Sequence, residues 1–174
     1  YQALTAQTGT TGTVANTAVG YLSGKAITTG SRNTLMGSLS GSVLVEGIRN
    51  VAFGYGALDA GQEDSGCTAI GYRALSDADV SNTGSAVYSN NTAIGYNTGN
   101  SLTTGTNNTI IGASSNASAV DGVNQTVVGY ATTGVADNSV TLGNASVTRV
   151  NMASDGAAVM YADGTINTSD RRFK

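Results

Sequence analysis

The chain has no proline, no tryptophan and no histidine among its 174 residues, and only one cysteine. Without histidine there can be no His-based catalytic triad, no imidazole acid–base pair and no His-ligated metal. The lone Cys67 excludes an intrachain disulfide. Charged residues make up 11% of the chain, against about 25% in an ordinary soluble domain. The net charge is −3, and Arg171, Arg172 and Lys174 form the only basic cluster, so the basic stripe of a nucleic-acid binder is missing. No apolar run of about 18 residues exists that would make a membrane-spanning helix, and no signal peptide is visible at Tyr1. Low charge also argues against charge-driven disorder, and 40% hydrophobic residues suffice for a core.

Glycine is abundant, at 24 residues, alongside much Thr, Ser, Asn and Ala. Asn and Gly tolerate left-handed backbone angles, so this mixture suits many short strands joined by tight turns. The residues are also periodic. Short stretches like Asn91 to Tyr96 (NTAIGY) end at Gly20, Gly37, Gly54, Gly71, Gly95, Gly112, Gly129 and Gly143, with successive spacings of 17, 17, 17, 24, 17, 17 and 14. The spacing of 24 is one repeat with a seven-residue insertion, placed between Ser76 and Asn90.

The columns of the repeat are as regular as its length. One residue before the glycine stands a large apolar residue: Val19, Met36, Phe53, Ile70, Ile94, Ile111, Val128 or Leu142. Two before it is Ala or another residue of small to medium size, three before it Thr or Val, and four before it Asn, Cys67, Gln125 or Ser139. Tyrosine follows the glycine at Tyr21, Tyr55, Tyr72, Tyr96 and Tyr130. A second glycine often precedes the first by seven, as at Gly30, Gly47, Gly105 and Gly122.

A β-branched and apolar run bounded by Asn and Gly reads as a short strand. A 17-residue period is too short for a propeller blade or a helical-pair repeat, which take roughly 33–50 residues. It fits one coil of a parallel β-solenoid with two short strands and two turns, stacked about 4.8 Å per coil so that equivalent residues form ladders. The spacings predict about nine coils spanning on the order of 40 Å. Apolar ladders would fill the interior and Asn ladders would satisfy one another's amides. Neighbouring strand residues face opposite ways, yet both faces are apolar or small, so one face is expected to fill the coil and the other to pack on a neighbouring chain. Three-fold closure is the simplest for a fibre. Tyr1-Gln2-Ala3-Leu4 matches Tyr55-Gly56-Ala57-Leu58 and Tyr72-Arg73-Ala74-Leu75, so the sequence is expected to enter in mid-repeat.

These residues carry a resemblance to known families. Asn138 to Ser146 resembles the NSVAIGxxS head repeat of trimeric autotransporter adhesins, with Thr141 where that family has Ala. The remaining repeats are similar to the NTAIGYxAL repeats of phage tail fibres, over roughly residues 1–146. The resemblance implies a left-handed parallel β-roll assembled as a homotrimer. Ser169-Asp170-Arg171-Arg172-Phe173-Lys174 resembles the opening SDxRxK of the endosialidase-type intramolecular chaperone, which assists trimerisation and is released by self-cleavage before its Ser. That family's cleavage residues fall on Ser169 and Lys174, and a Lys of lowered pKa can activate a Ser hydroxyl. The chaperone body is not present in the sequence, and Ser169 onward is still attached.

The expected organisation is therefore residues 1–146 as β-roll, 147–168 as a short β cap or tip, and 169–174 as the start of a chaperone-type segment. The cap reading rests on alternating Val150/Met152 and Val159/Tyr161 with turns at Asp155-Gly156 and Asp163-Gly164. Asp77, Asp79 and Tyr88 of the insertion are candidate receptor contacts, since loops on a rigid scaffold carry recognition. Asp77 and Asp79 could instead bind Ca²⁺, but two carboxylates fall short of its six or more oxygens, and a solvated loop is the simpler reading. No metal site and no cofactor is expected. The Tyr column reads as a stacked ladder or as an aromatic platform for glycans, the ladder being preferred. Cys67 reads as a buried thiol in an Asn slot. Asp59, Glu63 and Asp64 read as a surface turn.

The resemblance implies a structural and adhesive segment of a viral tail fibre, at the virion or an extracellular surface. Expected partners are two further copies, other fibre or virion proteins and a host receptor, glycan or protein. The alternative is a bacterial surface adhesin or extracellular filament. An ice-binding solenoid and a glycan-cleaving spike fit less well. The Thr92 column adjoins positions expected to be buried, and no carboxylate pair in a groove is evident. Apart from self-cleavage, no enzyme activity is expected.

Overall fold

The computed structural model describes residues 2–8, 14–59, 61–76 and 90–151. Its eight strands are β1 (Thr17–Val19), β2 (Thr34–Met36), β3 (Val51–Phe53), β4 (Thr68–Ile70), β5 (Thr92–Ile94), β6 (Thr109–Ile111), β7 (Thr126–Val128) and β8 (Val140–Leu142). They form one parallel sheet in strict sequence order, and no helix occurs among the described residues. This is a β-solenoid of about seven turns with 17-residue coils. Seven steps of 4.8 Å give a stack of roughly 34 Å. The register matches the sequence columns residue for residue, and it survives the insertion, with Thr68 paired to Thr92 and Ile70 to Ile94.

Eight stacked strands bound seven turns, against the nine coils expected. Among the described residues each coil also carries one regular strand rather than two. The reason is backbone conformation. Left-handed residues recur five before the repeat glycine (Arg32, Arg49, Asn107, Asn124), two after it (Leu22, Leu39, Arg73, Asn97) and four after it (Leu58, Leu75). These bends break any second extended run. The remaining path still bonds coil to coil. Leu39 N–H donates to Tyr21 O, and Gly41 N–H donates to Ala57 O on the opposite neighbour. Two isolated parallel bridges, Thr106 with Val123 and Asn116 with Thr133, are the remnant of a second strand.

The repeat glycine has a steric cause. Gly54 sits at φ 139°, and a Cβ there would lie 2.3 Å from Gly71 O. Every coil stacks on the next at this point, so side chains are excluded.

The interior is filled by complementary columns. Leu35, Ala52, Ala69, Ala93, Ile110 and Val127 point inward from the strand centres and are fully buried. Two further columns trade volume. Where the fourth residue after the repeat glycine is Gly24, Gly41 or Gly99, the seventh is Ile27, Leu44 or Leu102; where the fourth is Leu58, the seventh is Gly61. A Cβ on Gly41 would come within 2.9 Å of Leu44 Cδ1, and one on Gly99 within 2.9 Å of Leu75 Cδ2. The coils of Gly20, Gly37, Gly54 and Gly95 thus each hold one large apolar side chain at this end, which keeps the interior close-packed, whereas the coil of Gly112 carries Asn116 and Ala119 there.

Polar ladders line the core as expected. Asn33 Nδ2 donates to Asn16 Oδ1 (3.1 Å) and Gly47 O (2.8 Å), while its Oδ1 accepts from Asn50 N (3.0 Å) and Nδ2 (3.0 Å). Asn91 and Asn108 repeat the arrangement further along the stack. Gln125 takes the next rung, its backbone N–H donating to Asn108 Oδ1 (2.9 Å). Cys67 changes the chemistry of its rung. Its backbone N–H still donates to Asn50 Oδ1 (2.9 Å), but a thiol stands where the amide would be, with Sγ 3.8 Å from Ser65 O. The thiol is buried inside the coil.

Contacts divide the chain into Tyr1–Asn144 and Ala145–Lys174. The first unit is the solenoid. Of the second, residues 145–151 are described and carry no strand. The expected cap strands at Met152, Val159 and Tyr161 lie outside the described residues.

Candidate interaction surface

Because strand residues alternate, burying the central column turns the two flanking columns outward. The column preceding the repeat glycine is apolar throughout, yet it stands exposed on the chain: Val19 is 54% accessible, Phe53 53% and Leu142 50%. Ile70, Ile94 and Val128 are half-buried against their coil neighbours. The Thr and Val column beside it also faces outward. Scattered apolar residues on a surface are ordinary, but this is an unbroken line of eight, one per coil, running the length of the sheet. Continuous apolar patches of this kind mark interaction surfaces.

The tyrosine column runs parallel to the stripe, two residues further along each coil. Tyr55 and Tyr72 stack with centroids 5.4 Å apart and planes at 11°, and Tyr72 and Tyr96 stack at 5.2 Å with the same tilt. The coil rise sets this distance, and it falls within the range of favourable offset stacking. The column contains Ser38 between Tyr21 and Tyr55, and Ala113 between Tyr96 and Tyr130. Three rings therefore form the ladder and two stand apart. The ladder's rings remain about half exposed.

Asp77, Asp79 and Tyr88, the candidate receptor contacts, lie outside the described residues, as do Ser169 and Lys174. The described solenoid runs to Ser76 and resumes at Asn90, whose N–H donates to Ser65 O. The strands on either side, β4 and β5, stay paired in register. Among the described residues no group of three or more Cys, Asp or Glu side chains could hold a metal ion. Asp59 is more than a surface turn residue: its carboxylate is half-buried and accepts from Ser42 Oγ one coil away. Sequence columns alone did not single it out, although Ser42 and Asp59 share a column.

No protein-family model matches the chain, and neither does any curated protein or solved structure.

Proposed function

We propose that this chain is a length of homotrimeric fibre, a left-handed β-roll serving as a structural and adhesive segment of a viral tail fibre. The unbroken outward line from Val19 to Leu142 carries the reading. A single roll cannot bury it, whereas copies related by a three-fold axis along the solenoid would cover it on every chain at once. Closed symmetry is the common way homo-oligomers hide such a face. Covering eight half-exposed apolar side chains is worth about 1 kcal/mol each, comparable to the several kcal/mol that association costs. The NTAIGY-type repeats, and the Ser169 to Lys174 segment resembling the start of a trimer-assisting chaperone, support a tail fibre over its alternative, a bacterial surface adhesin.

In this reading the solenoid is shaft and scaffold, and the insertion after Ser76 presents Asp77, Asp79 and Tyr88 to a host receptor. The chain performs no reaction on a diffusible substrate. Ser169 and Lys174 act once, on their own chain, cutting the bond between Thr168 and Ser169. Mass spectrometry of purified virions and of cell-envelope fractions from the source tests it. Peptides of this repeat in virions, with a chain end at Thr168, are the expected result. Peptides confined to the envelope fraction would overturn it in favour of the adhesin.

A further inference from the structure

A hollow of about 320 Å³ lies beside the tyrosine ladder, lined by Leu39, Tyr55, Gly56, Asp59, Tyr72, Arg73 and Ser76. Its origin is one residue. The position two after the repeat glycine holds Leu22, Leu39, Arg73 and Asn97 in neighbouring coils, but Gly56 in the third. A Cβ on Gly56 would meet only Arg73 Cγ, at 3.6 Å, so the missing side chain leaves open space between Leu39 and Arg73. The volume is at the low end of the roughly 300–1,000 Å³ of small-ligand sites.

The lining is chemically mixed in a specific way. Tyr55 and Tyr72 form an aromatic wall, and the coil on the Leu39 side of Tyr55 carries Ser38 where a ring would otherwise cover it. Asp59 and Arg73 bring a carboxylate and a guanidinium to the lining; Asp59 accepts from Ser42 Oγ, and Arg73 Nε donates to Ser76 Oγ at 3.2 Å. The two opposite charges leave the hollow without a net sign, which disfavours a phosphate or a carboxylate ligand. A pyranose has the complementary character on each count. Its C–H faces are apolar and slightly positive and suit the negative face of a tyrosine. Its hydroxyls donate to a carboxylate and accept from a guanidinium. We propose that this hollow is a binding site for a neutral saccharide unit. In the order of each coil the rest of its lining follows the ladder, whereas the apolar stripe precedes it.

The test uses saturation-transfer NMR and calorimetric titration of the purified chain in its native assembly, with lactose, maltose, cellobiose and chitobiose as probes. Saturation transfer to the pyranose protons of at least one probe is expected. Gly56→Leu fills the hollow with a residue the same column already carries at Leu22 and Leu39, and binding is expected to disappear while the circular dichroism spectrum and assembly mass stay unchanged. Asp59→Asn, which keeps the shape, is expected to weaken binding at least about tenfold. Arg32→Ala, on the opposite turn of the coil, is expected to bind as the parent does. The proposal is overturned if no probe binds, or if Gly56→Leu and Asp59→Asn bind as tightly as the parent.

Discussion

Replacing Asn33 by Ala removes a fully buried rung that no other side chain can supply. The lost amide took part in four hydrogen bonds, two donated and two accepted. Asn50 Nδ2 retains Asp64 O as an acceptor, at 2.6 Å. The backbone N–H of Asn50 and the carbonyl of Gly47 are left without the partners that Asn33 provided. Each such buried group costs about 1–3 kcal/mol, so the two together cost about 2–6 kcal/mol, with a small cavity added. Urea unfolding followed by circular dichroism measures it, at a fixed protein concentration because association into the proposed trimer would add to stability. Asn33→Leu fills the space without restoring the bonds and is expected to lose a similar amount, which separates orphaned polar groups from cavity. Thr104→Ala, at an exposed turn, is expected to stay within about 0.5 kcal/mol of the parent. If Asn33→Ala also stays within that margin, the ladder is not what holds successive coils in register.

Three further substitutions probe separate parts of the fold. Gly54→Ala drives a Cβ into Gly71 O and is expected to cost at least about 3 kcal/mol, whereas Gly56→Ala costs only the left-handed penalty of about 1 kcal/mol; equal thermal midpoints for the two would refute the stacking argument. Cys67→Asn restores an amide rung beside a small void lined by Asp64, Cys67, Leu75, Asn91, Leu102, Thr103 and Gly105. It is expected to gain about 1–2 kcal/mol in urea unfolding, and a loss would show that the slot does not accept an amide. Phe53→Asp places a charge on the apolar stripe without touching the interior; it is expected to keep the solenoid's circular dichroism and to lower the assembly mass, and an unchanged mass would remove Phe53 from the contact.

Much of the solenoid was legible because a stacked repeat writes its geometry into columns. The glycine spacing gave the coil length, and the fixed position of Asn33, Asn50 and Asn108 four residues before a repeat glycine gave the polar ladder. The equal lengths on either side of the insertion gave its register. Two things were hidden. The alternation of Ala93 and Ile94 showed that two faces are apolar, but not which one faces in. The structure buries the smaller column, since a 17-residue coil encloses little volume and already holds Leu58-type or Leu44-type side chains. The single strand per coil was also obscured, because left-handed conformations at Leu22, Leu39 and Arg73 break the usual preference of such residues. Of the candidate sites, the hollow at Gly56 was readable only as a missing side chain within an otherwise filled column. The resemblance-based sites at Ser169 and Lys174, and the insertion residues Asp77, Asp79 and Tyr88, rest on sequence alone.

Sedimentation equilibrium of the purified chain across a range of concentrations tests the central claim most directly. The account predicts a single species of three chains, dissociating when Ile94→Asp is introduced into the stripe. A monodisperse, folded monomer at all concentrations would contradict it, because the line from Val19 to Leu142 would then be standing in water with nothing to cover it.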